Sequence, residues 1–294
     1  MLLNIFFLVL TSVIWGSSFI LMKKGLAEFN PIEVAAIRLS VTFFTMLPFF
    51  FIAVKRIRKE QVKWLFVVAI LGSGLPAILF ATSISKIDSS VAGIVNSTVP
   101  LFTLVVGVVF FSIKQRLIKI IGVFIGLGGA AILVFYNSDG QVNTNYAYAM
   151  LAVLATVCYG FNTNILKTHF NDINPLHLIS MMYVVIGIPA MIFLLSSNVS
   201  AKFTGEAAVW QAFGAIVILG ILGSAFAMFF FVKLLQRTSA LFASTVTYLI
   251  PIVAVMWGLY DGESIGIVQM IGMLFILSGV YLVNKVSRSQ NSPL

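Results

Sequence analysis

The residues near 89–111 run for twenty-three positions without a charged side chain, and stretches like it recur along the whole chain. Such a run fits a lipid bilayer better than a surface in water. The hydrocarbon core is about 30 Å thick, which a helix crosses in roughly 20 apolar residues at about 1.5 Å each. Candidate spans lie near 3–22, 32–54, 62–84, 89–111 and 118–136, then near 146–166, 175–197, 208–234, 240–259 and 265–284. They are long and continuous, without the short alternation of a membrane barrel strand, so the expected fold is all-α and integral to the membrane, with ten transmembrane helices. Composition agrees. Hydrophobic residues make up 60% of the chain and charged residues 9%, against about 45–50% and about 25% in ordinary soluble domains. Ten spans leave room for short loops and no separate soluble domain.

The charges set an orientation. Cations are retained on the cytoplasmic side of membrane proteins. Thirteen of the eighteen Lys and Arg residues fall in even-numbered connections and the C-terminal tail, among them Lys55, Arg58, Lys119, Lys167 and Arg237. Lys23, Lys24, Lys86 and Lys202 alone fall in odd-numbered ones. Both termini are therefore expected in the cytoplasm, in a multi-pass protein of the plasma (inner) membrane. The net charge of +9 does not imply nucleic acid, because the basic residues form short clusters between apolar runs. Cys158 is the single cysteine, so neither a disulfide framework nor a thiolate metal cluster is expected, and no cofactor is implied. Met1–Leu10 is apolar without a positive leader and reads as the start of the first span.

The two halves repeat. Ile70-Leu71-Gly72-Ser73 returns as Ile221-Leu222-Gly223-Ser224, and the same offset of 151 pairs Phe80 with Phe231, Lys86 with Arg237, Ala92 with Ala243 and Pro100 with Pro251. An offset of 144 pairs Asn30-Pro31 with Asn174-Pro175, Gly16 with Gly160 and Lys23 with Lys167. One longer loop between spans 7 and 8 accounts for the difference. The expected domains are residues 1–138 and 146–286, followed by a cytoplasmic tail at 287–294. Five spans is an odd number, so the second copy is expected upside down relative to the first. Inverted repeats recur in secondary transporters, where two similar halves exchange conformations around one site.

Trp15-Gly16-Ser17-Ser18-Phe19, Asn30-Pro31, Arg38, Pro100 and the glycines of span 5 (Gly122, Gly126, Gly128, Gly129) resemble an EamA-type repeat, as do Gly262-Glu263, Gln269 and Gly272 at the end of the second half. The resemblance, to the drug/metabolite transporter superfamily, covers nearly the whole chain. It implies ten helices in two inverted repeats around a central cavity, and commonly the export of amino acids or related metabolites. Two positions depart from the pattern: Ser112-Ile113-Lys114 stands where Gly262-Glu263 stands in the second half, and Met182 takes the place of Arg38.

Arg38 is the sharpest candidate for a binding residue. A cation about two turns into a span costs several kcal/mol without a partner. It either pairs with a substrate carboxylate in a cavity or reaches the interface or a neighbouring helix end. Asn96 and Asn162 are buried amides that need partners lipid does not offer, either a solute or another helix. Trp15, Tyr159, Tyr248 and Trp257 suit a cavity wall or an interfacial belt. Pro100 and Pro251 remove backbone donors inside spans and are candidate gating hinges. Gly122 with Gly126, and Gly272 with Gly279, make small-residue ridges for close packing or for a homodimer.

All nine acids lie at or near helix ends or in loops, so a proton relay through a buried carboxylate is disfavoured. A membrane enzyme would need a nucleophile–base pair or a metal cluster at mid-span, and no His or acid is placed there. A non-transporting receptor or assembly scaffold is the alternative; it predicts no cavity and no dependence on Asn96 or Asn162. A secondary transporter of small polar metabolites, most simply an exporter of amino acids, is the reading that uses the repeat.

Overall fold

The computed structural model describes residues 2–54, 58–112, 115–237 and 246–285. Among them the chain is helical throughout and forms no strand. The helices are α1 (Leu2–Gly25), α2 (Pro31–Ala53), α3 (Lys59–Ile84), α4 (Ser89–Phe111), α5 (Leu117–Phe135), α6 (Tyr146–His169), α7 (Pro175–Ser196), α8 (Ala207–Arg237), α9 (Val246–Tyr260) and α10 (Ile267–Lys285). The first eight are long and apolar enough to cross a membrane; the described parts of α9 and α10 are shorter apolar helices. The first six residues of the expected ninth span, with Ala243 and Thr245, lie outside the described residues, as do Lys55, Arg56, Lys114 and the expected tail at 287–294.

Local chemistry explains where several helices begin. The Asn30 side chain accepts from the backbone N–H groups of Ile32 and Glu33, and Glu33 reaches back to the Asn30 N–H at 2.8 Å. This reciprocal cap satisfies donors that the first turn leaves orphaned, and Pro31 supplies a φ already suited to the helix. Asn174 and Pro175 repeat it in part at α7, where Asn174 accepts from the Leu176 N–H alone, without a reciprocal bond among the described residues. A short 3-10 helix at Asn198–Lys202 occupies the longer connection between α7 and α8.

Three interruptions shape the interior. α3 widens to a π-helix at Ile70–Gly74, and α8 does so at Leu219–Phe226. Both segments contain the repeated Ile-Leu-Gly-Ser, and π turns of this kind leave backbone groups outside the regular ladder. α4 is broken at Ser97 and Thr98, between helical segments at Ser89–Asn96 and Val99–Phe111. Pro100 has no N–H to give the carbonyl of Asn96, which is the physical reason for a break there. Pro251 sits inside a continuous α9.

The packing partners correspond between the halves. α1 lies against α9 and α8, and α6 lies against α4 and α3. α2 pairs with α7, where Gly187 admits the Phe43 ring. α5 pairs with α10 along their glycines. A methyl group on Gly129 would stand 2.5 Å from the Gly272 carbonyl oxygen, and one on Gly279 2.4 Å from that of Gly122. The two backbones touch there, so these glycine faces are consumed within one chain.

Candidate functional site

A cavity of about 670 Å³ lies between the two halves, walled by α1, α2, α3, α4, α6, α7, α8 and α9, with one residue each from α5 (Lys119) and α10 (Val283). Two aromatic pairs line it in corresponding places. Trp15 packs on Phe231 with ring centroids 5.0 Å apart, and Tyr159 stacks on Phe80 at 6.1 Å. The Trp15 Nε1 donates to the Gly223 carbonyl at 3.0 Å, using an acceptor in the π segment of α8. The serines of the two repeated tetrapeptides also bond to matching helices, α2 and α7, though not to matching residues. Arg38 Nε donates to Ser224 Oγ at 2.7 Å, and Ser73 Oγ shares a hydrogen bond of 3.1 Å with the Tyr183 hydroxyl.

The preceding glycines make room for polar groups. A methyl on Gly72 would fall 2.6 Å from Asn162 Oδ1, and one on Gly223 would fall 2.7 Å from Ser18 Oγ. The Asn162 amide therefore rests on bare backbone. It is 5% exposed, and its Oδ1 has no hydrogen-bond partner. Such a group costs on the order of 1–3 kcal/mol when left unmatched. The Asn96 side chain likewise makes no hydrogen bond among the described residues. Nearby polar groups are spent on the helix bundle instead: Asn164 Nδ2 donates to the Thr103 carbonyl, and Thr98 Oγ1 to Thr156 Oγ1.

The two ends of the cavity differ. At one end the lining includes Gln115, Lys119, Lys167 and Thr168, and the last two are exposed. These residues belong to even-numbered connections and adjoining helix ends, so the cavity opens there. At the other end the lining stops at Phe19 and Met22, both buried. Beyond them Glu263 plugs the bundle. Its carboxylate accepts from Ser89 N (2.9 Å), Ser89 Oγ (2.7 Å) and Ser90 N (3.0 Å), capping α4, and from Lys23 Nζ at 2.8 Å. Asp261 joins the cluster at 2.7 Å from Lys23 and also meets Lys24. Burial pushes the Glu263 carboxyl up, but the hydrogen bonds from Lys23 and from Ser90 and Ser89 outweigh it and hold its pKa at about 2. Asp261 is also raised by burial, and bonds to Lys23 and Lys24 bring it below the ordinary value. Asp88, at the start of α4, is pushed up by burial and then by the Glu263 charge.

Of the residues singled out from sequence, Trp15, Arg38, Asn96, Pro100, Tyr159 and Asn162 line the cavity. Tyr248 and Pro251 do not; α9 presents Thr247 and Ile250 instead, with Tyr248 packed against the core. Trp257 lies outside, 40% exposed, with its Nε1 bonded to Ser17. Sequence reasoning passed over Ser73, Ser224, Tyr183, Lys119, Lys167 and the Lys23–Glu263 plug. The repeated tetrapeptide was the available signal for the serines, read there only as a mark of duplication. Among the described residues no group of acid, His and Cys side chains has the proximity to hold a metal.

Comparison with known proteins agrees with this architecture. The model of the EamA-like transporter family matches residues 2–135 and again residues 147–285. An uncharacterized transporter of Archaeoglobus fulgidus is 27% identical over 94% of this chain and 96% of its own length. The uncharacterized inner membrane transporter YedA of Escherichia coli K12 is 24% identical over 92% and 87%. The uncharacterized transporter YoaV of Bacillus subtilis is 24% identical over 92% and 93%. One solved crystal structure superposes with a TM-score of 0.65 over 98% of this chain and 99% of that one, at 13% identity, which bears on the fold alone. With two matches that together span nearly the whole sequence, this multi-span membrane protein belongs to the EamA-like transporter family.

Proposed function

We propose that the protein is a secondary transporter that exports small carboxylate-bearing metabolites, the class in which the sequence puts amino acids first, by alternating access between inverted halves. The observation that carries this reading is the cavity, built by both halves, open at one end and plugged at the other. The matching contacts of α1 with α9 and α6 with α4, and the paired aromatic and serine contacts, support an inverted repeat. Five spans per copy reverse the second copy, and such halves can exchange roles around a fixed site. The cations around the open end support an inward-facing state with both termini in the cytoplasm.

Arg38 is the residue to hold a carboxylate, because a guanidinium offers two parallel donors to its oxygens. Asn96 and Asn162 supply neutral polar groups, and the aromatic pairs an amphipathic wall. Counterflow in proteoliposomes tests the reading. Vesicles with purified protein are preloaded with unlabelled carboxylate solutes, including amino acids, then given each labelled one outside. Accumulation above protein-free vesicles, lost in Asn96→Ala, is the expected result. No accumulation of any solute by folded protein would leave the scaffold reading in its place.

A further inference from the structure

All nine Asp and Glu residues of the chain are described, and none of them lines the cavity. Three cationic side chains do: Arg38 inside, and Lys119 and Lys167 toward the mouth. Of these, Arg38 and Lys167 make no ion pair with a described residue; the acids found in ion pairs are met by Lys23, Lys24, Arg58 and Lys202. Arg38 is held by Ser224 through Nε. Its two terminal amino groups have no protein acceptor among the described residues.

A second, independent feature also calls for a solute. Asn162 is buried, lines the cavity, and offers an Oδ1 that no protein donor meets. Gly72 beneath it adds no side chain to cover the amide.

Resting on the transporter reading above, we infer that the cavity selects carboxylates of net negative charge over zwitterions, placing the carboxylate on Arg38 and a neutral donor, a hydroxyl or amide N–H, on Asn162. A neutral acceptor serves a hydroxyl as well as an ammonium, so hydrogen bonding does not separate the two. Charge does. A zwitterion brings its ammonium toward Arg38 and Lys167 with no Asp or Glu on the lining to meet it, so that like charges repel. A hydroxy acid of the same shape satisfies both groups and neutralises one cation. The aromatic pairs then favour a solute with an apolar or aromatic body.

The test uses L-3-phenyllactate and L-phenylalanine, which share a skeleton and differ by hydroxyl against ammonium. Binding to the full-length protein in nanodiscs is read by thermal shift and by tryptophan fluorescence, and counterflow is measured on the same preparation. The hydroxy acid is expected to bind at least about tenfold more tightly, because the amino acid alone meets the repulsion between its ammonium and the cavity cations. The preference should fall in Arg38→Gln, survive in part in Arg38→Lys, and move toward phenylalanine in Asn162→Asp, which adds the missing carboxylate. Should Arg38→Gln not fold, the wild-type comparison decides alone. Phenylalanine binding as well or better, or neither solute binding, overturns the inference. Preferential binding of phenyllactate without counterflow of any solute upholds the selectivity and overturns the transporter reading instead.

Discussion

Arg38 and Ser224 are joined across α2 and α8 by a hydrogen bond of 2.7 Å that uses Nε alone. The serine thereby fixes the direction of the guanidinium without consuming the groups that would grip a carboxylate. Ser224→Ala should loosen that aim while keeping the charge. We expect the half-saturation concentration in counterflow to rise about three- to tenfold, a fraction of the roughly 1.5–3 kcal/mol of a charged hydrogen bond, with the maximal rate nearly unchanged. Ser224→Thr, which restores the hydroxyl, should recover most of the loss. A fall in maximal rate with unchanged half-saturation would show the serine acting on the helix rather than through Arg38.

The glycine seam between α5 and α10 offers a matched set of substitutions. Gly279→Ala and Gly129→Ala place a methyl 2.4 Å and 2.5 Å from backbone carbonyls, which no rotamer change can relieve. Each should cost about 1–3 kcal/mol through forced backbone shifts. Gly128→Ala, one residue away, meets nothing within 4 Å and should be neutral or stabilising by up to about 1 kcal/mol through helix propensity. Thermal unfolding of the purified variants gives the comparison. Equal behaviour of Gly128→Ala and Gly129→Ala would mean the helices do not touch as described.

Sequence carried the fold a long way and the site part of the way. The spans were legible because a bilayer demands long apolar helices, and the Asn-Pro pairs marked true helix starts because caps are local chemistry. Arg38, Asn96 and Asn162 stood out because polar groups in an apolar run need a reason. Tyr248 was misplaced because the face that α9 turns inward is set by packing, and its neighbours Thr247 and Ile250 won that face. Lys23 and Glu263 could not be paired from sequence: the two residues are 240 positions apart, and each looks like an ordinary helix-end charge until the bundle closes. The π segments were likewise invisible, since the repeated tetrapeptide has no unusual composition.

The Glu263 plug has a defined pH dependence. Its folded-state pKa of about 2 lies below the ordinary 4.5, so its stabilisation is complete above pH 4.5 and is withdrawn as pH falls toward 2. Thermal stability should therefore show no Glu263-dependent change between pH 5 and 8, set by that same pair of values. Glu263→Gln should lower stability at pH 7 by on the order of 2 kcal/mol. That is below the roughly 3–5 kcal/mol of a fully buried pair, because Lys23 keeps a third of its side chain in solvent. A wild-type–variant difference that already shrinks at pH 6 would contradict the assigned environment.

Orientation is open to labelling. Cys158 is buried, so Cys158→Ala provides a background free of reactive thiols. Asp139→Cys, in the α5–α6 connection, should react with a membrane-impermeant maleimide added to intact cells. Asp172→Cys, in the α6–α7 connection, should react only after the membrane is opened. The reverse pattern would place the termini outside.

Ser112 and Gly262 hold the same left-handed backbone, with φ of 54° and 82°, at corresponding places in the two halves. The residue that follows is Ile113 in one and Glu263 in the other, and the lysines that correspond are Lys167 and Lys23. One doorway of the molecule thus carries a bolt, and at its counterpart the sequence has an isoleucine in the bolt's place. On the alternating-access reading proposed above, an empty carrier so built rests open at the end away from Glu263, and a single carboxylate sets which compartment it waits toward. Ile113→Glu combined with Glu263→Gln, with Lys167 left to meet the new carboxylate, should move the bolt to the opposite doorway and turn that posture round, which the reactivity of Thr168→Cys from the cytoplasmic side would report as a loss.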